Sequence, residues 1–129
     1  MTLATADRTR FAIVEDEPFM AQLVSDMLVS SGAEVEVFEL GAEFLKSSDL
    51  LKFKAVILDL SLPDLDGFGL MENLATTTIG MSIVLMSGHD LGTLRAAEIY
   101  GRGLGLKIRG ALSKPFTRYE LLAALGLPE

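Results

Sequence analysis

The stretch Ala55-Val56-Ile57-Leu58-Asp59-Leu60-Ser61-Leu62-Pro63-Asp64-Leu65-Asp66-Gly67 decides how this chain folds. Its first four residues form a short, partly β-branched apolar run, closed by a carboxylate and followed by a turn-rich Pro and Gly cluster. That pattern describes a strand buried on both faces of a parallel sheet. In open α/β sheets ligands bind in the crevice outside the carboxyl ends of the strands, which is where Asp59 falls. A lone Asp at that place also serves as an ordinary cap or turn residue, so other positions must decide between the two roles.

Working outward, strand-like and helix-like stretches alternate along the whole chain. Phe11–Val14 reads as a first buried strand, and Pro18 then occupies a first helical position, with Asp16 or Glu17 suited to the positive helix end. That helix runs to about Ser30 and stops at Ser31-Gly32. Glu34–Phe38 alternates polar and apolar, as an edge strand with one exposed face does. A short helix follows over Gly41–Ser48, then a third strand over Lys54–Asp59, a helix over Asp66–Ala75 and a fourth strand over Met81–Met86. The fourth helix starts near Asp90, carries Leu91, Leu94, Ala97 and Ile99 or Tyr100 at helical spacing, and dissolves toward Gly101, Gly103 and Gly105. Arg109–Ser113 is a short fifth strand. Thr117 with Glu120 forms a capping box for a last helix, which turns Leu121, Leu122 and Leu125 to the core before Gly126 and Pro128 end it. Five βα units imply a doubly wound parallel sheet with helices on both faces.

Composition narrows the function classes. The 129 residues suit one domain, read as residues 10–129 behind an N-terminal extension over 1–9. Half of the residues are hydrophobic, yet no uninterrupted apolar stretch approaches the length needed to span a bilayer, and the first ten residues lack a signal-peptide core. A cytoplasmic protein without membrane association is the default. The absence of cysteine excludes disulfides, thiol catalysis and thiolate metal sites. A net charge of -7 without a Lys/Arg cluster argues against direct nucleic-acid binding.

The chemistry is spread over four strand ends: Glu15-Asp16, Asp59, Ser87-Gly88 and Lys114-Pro115. In a parallel sheet all four share one edge, and a strand order of 2-1-3-4-5 sets the first and third strands side by side at the switch point. Two carboxylates about 4 Å apart repel by on the order of 4 kcal/mol at an effective dielectric near 20, so the trio must recruit a cation or retain a proton. Magnesium suits a few carboxylate oxygens and bridges readily to a phosphoryl group. Lys114 adds a mobile positive charge, Ser87 a hydroxyl, and Gly88 room for close backbone approach.

Each group has a plainer reading in isolation. Glu15-Asp16 is also an ordinary acidic pair at a helix start, Lys114-Pro115 a strand end with a solvated lysine, and Ser87 a turn residue; their coincidence is what argues for a site. Pro63 and Gly67 read as turn-shaping residues. His89, the only histidine, reads as a loop residue without chemical duty, since one His cannot define a metal site. Gly101-x-Gly103-x-Gly105 follows a helical stretch and lacks the G-x-G-x-x-G spacing, which excludes a nucleotide loop.

Taken together, Glu15-Asp16, Asp59, the Leu62-Pro63-Asp64-Leu65-Asp66-Gly67 loop, Ser87-Gly88 and Lys114-Pro115-Phe116 resemble the receiver domain of bacterial two-component response regulators, from about Arg10 to the chain end. The resemblance implies a flavodoxin-like fold and a phosphorylation-dependent switch that takes phosphate from a histidine kinase or histidine phosphotransfer protein. By that analogy Asp59 is the nucleophile that becomes an aspartyl phosphate. Asp16 and Asp59 then bind Mg2+ directly with the Ser61 backbone carbonyl, Glu15 acts through a metal-bound water, and Ser87 and Lys114 contact the phosphoryl oxygens. Such a domain catalyses only its own phosphorylation and dephosphorylation.

Two departures from the family pattern stand out. Position 111, commonly Tyr or Phe in receivers whose ring changes rotamer with phosphorylation, is Ala111, and the segment from Tyr100 to Ile108 is glycine-rich. Two alternatives accompany this reading. In one, the segment is a receiver module regulating a downstream catalytic domain absent from this chain, such as a cyclic-di-GMP phosphodiesterase, which Gly103-Leu104-Gly105-Leu106-Lys107 faintly resembles. The other is a haloacid-dehalogenase-like phosphatase, whose Asp-x-Asp pair would here be Asp59 and Ser61. A flavin carrier fits less well, because Glu15-Asp16-Glu17-Pro18 stands where its phosphate loop would be.

Overall fold

A computed structural model describes residues 8–77, 80–88 and 90–128. Of the expected extension only Arg8 and Thr9 are described, and His89 lies outside the described residues. The elements run β1 Arg10–Val14, α1 Pro18–Val29, β2 Glu34–Phe38, α2 Gly41–Leu45, β3 Ala55–Asp59, α3 Gly67–Thr77, β4 Ser82–Ser87, α4 Leu91–Gly103, β5 Lys107–Ser113 and α5 Arg118–Leu125. The strands form one parallel sheet in the order β2-β1-β3-β4-β5. This is the flavodoxin-like arrangement expected from the alternating pattern.

Side-chain alternation along the strands divides the core in two. Phe11 and Ile13, Ala55 and Ile57, and Val84 and Met86 face one side, where Val24 and Leu28 of α1 and Leu121 and Leu122 of α5 cover them. Ala12 and Val14, Val56 and Leu58, and Ile83 and Leu85 face the other, against Phe44 of α2, Leu70, Met71 and Leu74 of α3, and Leu94 and Ala97 of α4. Each Val, Leu, Ile, Phe or Met among them contributes about 1.5–3 kcal/mol when fully buried. Because the central strands are enclosed on both faces, their carboxyl ends are the place where polar groups meet solvent.

Several boundaries differ from the sequence reading or refine it. α4 passes through Gly101 and ends at Gly103, inside the glycine series toward which it was expected to dissolve. A Cβ on Gly101 would lie 2.8 Å from Ile108 Cδ1 and 2.9 Å from Met71 Sδ, so this glycine lets the helix approach β5 and α3 closely. The turn comes later, at Gly105, whose φ of 87° lies in the left-handed region. β5 starts at Lys107, two residues earlier than expected, because a register shift pairs Ile83 with Ile108 and Val84 with Gly110, leaving Arg109 as the extra residue. α2 is a five-residue turn of helix followed by a 3-10 turn over Leu50–Lys52, where a single longer helix was expected.

The β3–α3 connection is held by contacts that a sequence pattern does not display. Gly67 N–H donates to Leu60 O at 3.1 Å, and a Cβ on Gly67 would lie 3.0 Å from Leu60 Cα, so glycine permits this closure. Asp66 Oδ1 accepts from Gly69 N–H at 2.8 Å at the start of α3. Asp64 reaches across the fold, its two carboxylate oxygens accepting from Gly41 and Ala42 N–H at 3.0 Å each at the start of α2. The bonds from Ala42 and Gly41 hold the Asp64 carboxyl below its usual range.

That depression sets a pH dependence. With the folded-state pKa below the unfolded one, the stabilisation is present above the unfolded value near 4 and is lost as pH falls through the folded value. Thermal melts should show the wild type losing more stability than Asp64→Ala as pH is lowered below about 5. Parallel pH profiles for the two proteins would refute the role.

Candidate functional site

Parallel strands of similar length bring the strand ends together. β1 and β3 are adjacent, with Val14 opposite Leu58, so the residues that follow them, Glu15-Asp16 and Asp59, lie across the switch point from one another. Asp59 in turn pairs with Met86, and Ser87 with Ser113, which places the ends of β4 and β5 in the same row. Leaving β5, Lys114 N–H donates to Ser87 O at 2.8 Å, and the following Lys114–Pro115 peptide is cis.

The three carboxylates converge as expected. One oxygen each from Glu15, Asp16 and Asp59 lies within 4.8 Å of the others. Asp16 is exposed, whereas Glu15 is 1% and Asp59 3% exposed, so two of the three charges lack ordinary hydration. Lys114 offsets them, with Nζ 2.7 Å from Glu15 Oε1 and 3.5 Å from Asp59 Oδ2. Glu15 Oε2 also accepts from Glu17 N–H at 3.1 Å, and Asp59 Oδ1 from Ser61 N–H at 3.1 Å. Burial pushes the Glu15 carboxyl above its usual range, and the Asp59 charge pushes the same way, while the bonds from Lys114 and the Glu17 N–H pull it down.

The capping of α1 frees Asp16 for other work. Of the two candidates for the helix start, Glu17 is the N-cap, its carboxylate accepting from Met20 N–H at 2.7 Å and Phe19 N–H at 3.3 Å. Ser87 is buried at the end of β4, and Ser61 follows Asp59 at the surface. Every residue expected at the site therefore stands at one edge of the sheet. Sequence reasoning did not foresee the Lys114–Glu15 ion pair, whose partners are 99 positions apart. Nor did it foresee the tie from Asp64 to α2.

The donor set suits a small hard cation. It consists of carboxylate oxygens, two of them buried, with no thiolate and no imidazole among the described residues of the cluster. Three carboxylates against one lysine leave the cluster net negative, which a divalent cation would neutralise.

Comparison with known proteins agrees with this geometry. The model of the response regulator receiver domain family matches residues 11–126. Cell cycle response regulator CtrA of Brucella ovis is 30% identical over 116 residues, which make up 90% of this chain and 48% of CtrA. The chain spans about half the length of the curated relatives it matches. Among solved structures, a response regulator from Colwellia psychrerythraea superposes with a TM-score of 0.79 at 32% identity, covering 92% of this chain and 94% of that one. The receiver domain of the sensor histidine kinase PA1611 from Pseudomonas aeruginosa, described with a magnesium ion coordinated in its active-site cleft, superposes with a TM-score of 0.76 at 26% identity. It covers 92% of this chain and 94% of that domain. The chain belongs to the response regulator receiver domain family, and so to two-component signalling. No helix among the described residues is long and apolar enough to cross a membrane.

Proposed function

We propose that this domain is a phosphorylation-dependent switch of a two-component phosphorelay, accepting a phosphoryl group on Asp59 from a histidine kinase or histidine phosphotransfer protein. The observation that carries this reading is the convergence of Glu15, Asp16 and Asp59 within 4.8 Å, with the Lys114 ammonium bonded to Glu15 and 3.5 Å from Asp59. The phosphodonor is cytoplasmic in this reading, and a cysteine-free chain suits that reducing compartment.

A carboxylate oxygen of Asp59 forms the new bond to phosphorus while the bond to the donor's histidine nitrogen breaks, and the electron pair leaves with that nitrogen. Such transfer depends on alignment and on neutralising charge at the equatorial oxygens, more than on proton movement. Lys114 and the Ser87 hydroxyl supply donors to those oxygens. Asp16, Asp59 and the Ser61 carbonyl would hold Mg2+, with Glu15 acting through a water. When bound, the ion supplies charge neutralisation between the carboxylates and the phosphoryl oxygens. The same residues serve dephosphorylation, in which water forms the new bond to phosphorus and the Asp59 oxygen leaves as the free carboxylate, so the domain's catalysis is confined to its own Asp59. Output passes to an attached domain or a partner protein.

Intact-mass measurement after incubation with acetyl phosphate and magnesium tests the reading. Gain of one phosphoryl group is expected, and no gain at all would refute it. Magnesium alone should raise the melting temperature, because it binds the native carboxylate cluster and not the unfolded chain. Asp16→Asn should weaken magnesium binding about tenfold or more by calorimetry, as a charged ligand becomes a neutral one. Equal affinity in the two proteins would remove Asp16 from the coordination sphere.

A further inference from the structure

Residues 38–42, which lead from the end of β2 into α2, are bonded to both halves of the acidic site. On the β1 side, Glu15 N–H donates to Phe38 O at 3.0 Å, next to Asp16 in the chain. On the β3 side, the N–H groups of Gly41 and Ala42 donate to the two oxygens of Asp64 at 3.0 Å each, in the loop that follows Asp59. The segment is therefore a brace between the strand end that carries Asp16 and the loop that carries Ser61.

α2 depends on this loop for its own start. Its N-cap, Leu40, has an apolar side chain and makes no capping bond, so the first N–H groups of the helix find their acceptor in Asp64 instead. Packing draws the same two segments together, since the space where a Gly41 side chain would sit is bounded by Leu62 and Leu65 of the loop and by Leu70 of α3. Leu62 is buried in the core, and Gly67 N–H closes on Leu60 O at 3.1 Å. Ser61 lies between these anchors, exposed, with its N–H on Asp59 Oδ1 at 3.1 Å. Its carbonyl belongs to the planar peptide unit shared with Leu62, so the placement of residues 62–64 sets where that oxygen points.

With Mg2+ held as proposed above by Asp16, Asp59 and the Ser61 carbonyl, we infer that Asp64 is a positioning residue of the metal site: its two-pronged hold on Gly41 and Ala42 fixes the Ser61 carbonyl relative to Asp16 and couples α2 to the ion. Both Asp64 oxygens are engaged by the start of α2, so the residue acts through the loop and not as a ligand. The coupling is reciprocal. Whatever factor the closed clamp adds to magnesium affinity, bound magnesium adds to the closing of the clamp.

Calorimetric titration with Mg2+ separates positioning from charge. Asp64→Ala removes both the acceptors and a negative charge, whereas Asp64→Asn removes the charge and keeps a carbonyl oxygen that accepts from the start of α2. Loss of an outer-shell partner typically costs about 10–100-fold in metal affinity, and an exposed clamp acting on one ligand belongs at the lower end. Asp64→Ala should therefore bind magnesium about tenfold more weakly than the wild type, and Asp64→Asn should stay within about threefold of it. Amide hydrogen exchange gives the second readout. Saturating magnesium should slow exchange at Gly41 and Ala42 by about the same tenfold in the wild type and leave it unchanged in Asp64→Ala. Equal affinity in the wild type and Asp64→Ala, equal losses in Asp64→Ala and Asp64→Asn, or wild-type amides at 41 and 42 indifferent to magnesium would overturn the positioning role and leave the magnesium site standing. No magnesium binding by the wild type would overturn both.

Discussion

Asp59→Asn should gain no phosphoryl group from acetyl phosphate and magnesium under conditions that phosphorylate the wild type to completion. The amide occupies nearly the same volume, and its oxygen can still accept from the Ser61 N–H that now bonds Asp59 Oδ1 at 3.1 Å. It lacks the anionic oxygen that attacks phosphorus, and it weakens the cation site by one charge. Folding should survive the change. Removing one of three carboxylates that approach within 4.8 Å relieves a repulsion on the order of 3 kcal/mol at an effective dielectric near 20, partly offset by the lost attraction to Lys114. Intact mass checks the first expectation and a thermal melt the second. A phosphoryl group found on another residue of the folded variant would move the nucleophile elsewhere.

Much of this arrangement is legible in the chain because its information is local. Ala55–Leu58 is apolar at every position because β3 is covered on both faces, and Asp59 is polar because the strand ends there. Thr117 and Glu120 announce α5 by a capping box that the structure contains. Gly101 shows the opposite case. A glycine inside a helical pattern reads as a breaker, yet here it admits Ile108 and Met71 to the helix surface, a reason that exists only after α3, α4 and β5 have packed. The Asp64 carboxylate caps a helix that starts 23 residues earlier, so no local motif contains both halves of the contact. Position 111 was legible as an unusual Ala, but the open space beside it depends on where α4 lies.

The Lys114–Glu15 pair is the long-range contact with the largest expected effect on the site. Glu15 is 1% exposed and the Lys114 side chain 20% exposed, so the ammonium is the main charge compensation for a carboxylate that water barely reaches. Breaking a buried pair costs about 3–5 kcal/mol, and partial exposure of Lys114 brings the expected loss for Lys114→Met to about 2–3 kcal/mol in the presence of a chelator. Methionine keeps much of the stem's packing, so the loss reports mainly on charge. Magnesium should recover much of it, because a cluster with no lysine gains more from a divalent cation, and the melting temperature should therefore rise further on adding magnesium in the variant than in the wild type. Phosphorylation should not recover with it. Magnesium restores charge among the carboxylates but not the ammonium donor to the phosphoryl oxygens, so the initial rate of mass gain from acetyl phosphate should stay at least about tenfold below wild type. If Lys114→Met matches the wild type in stability under chelator, the ion pair does not hold the site together; if it matches in rate, the ammonium does not act on the phosphoryl group.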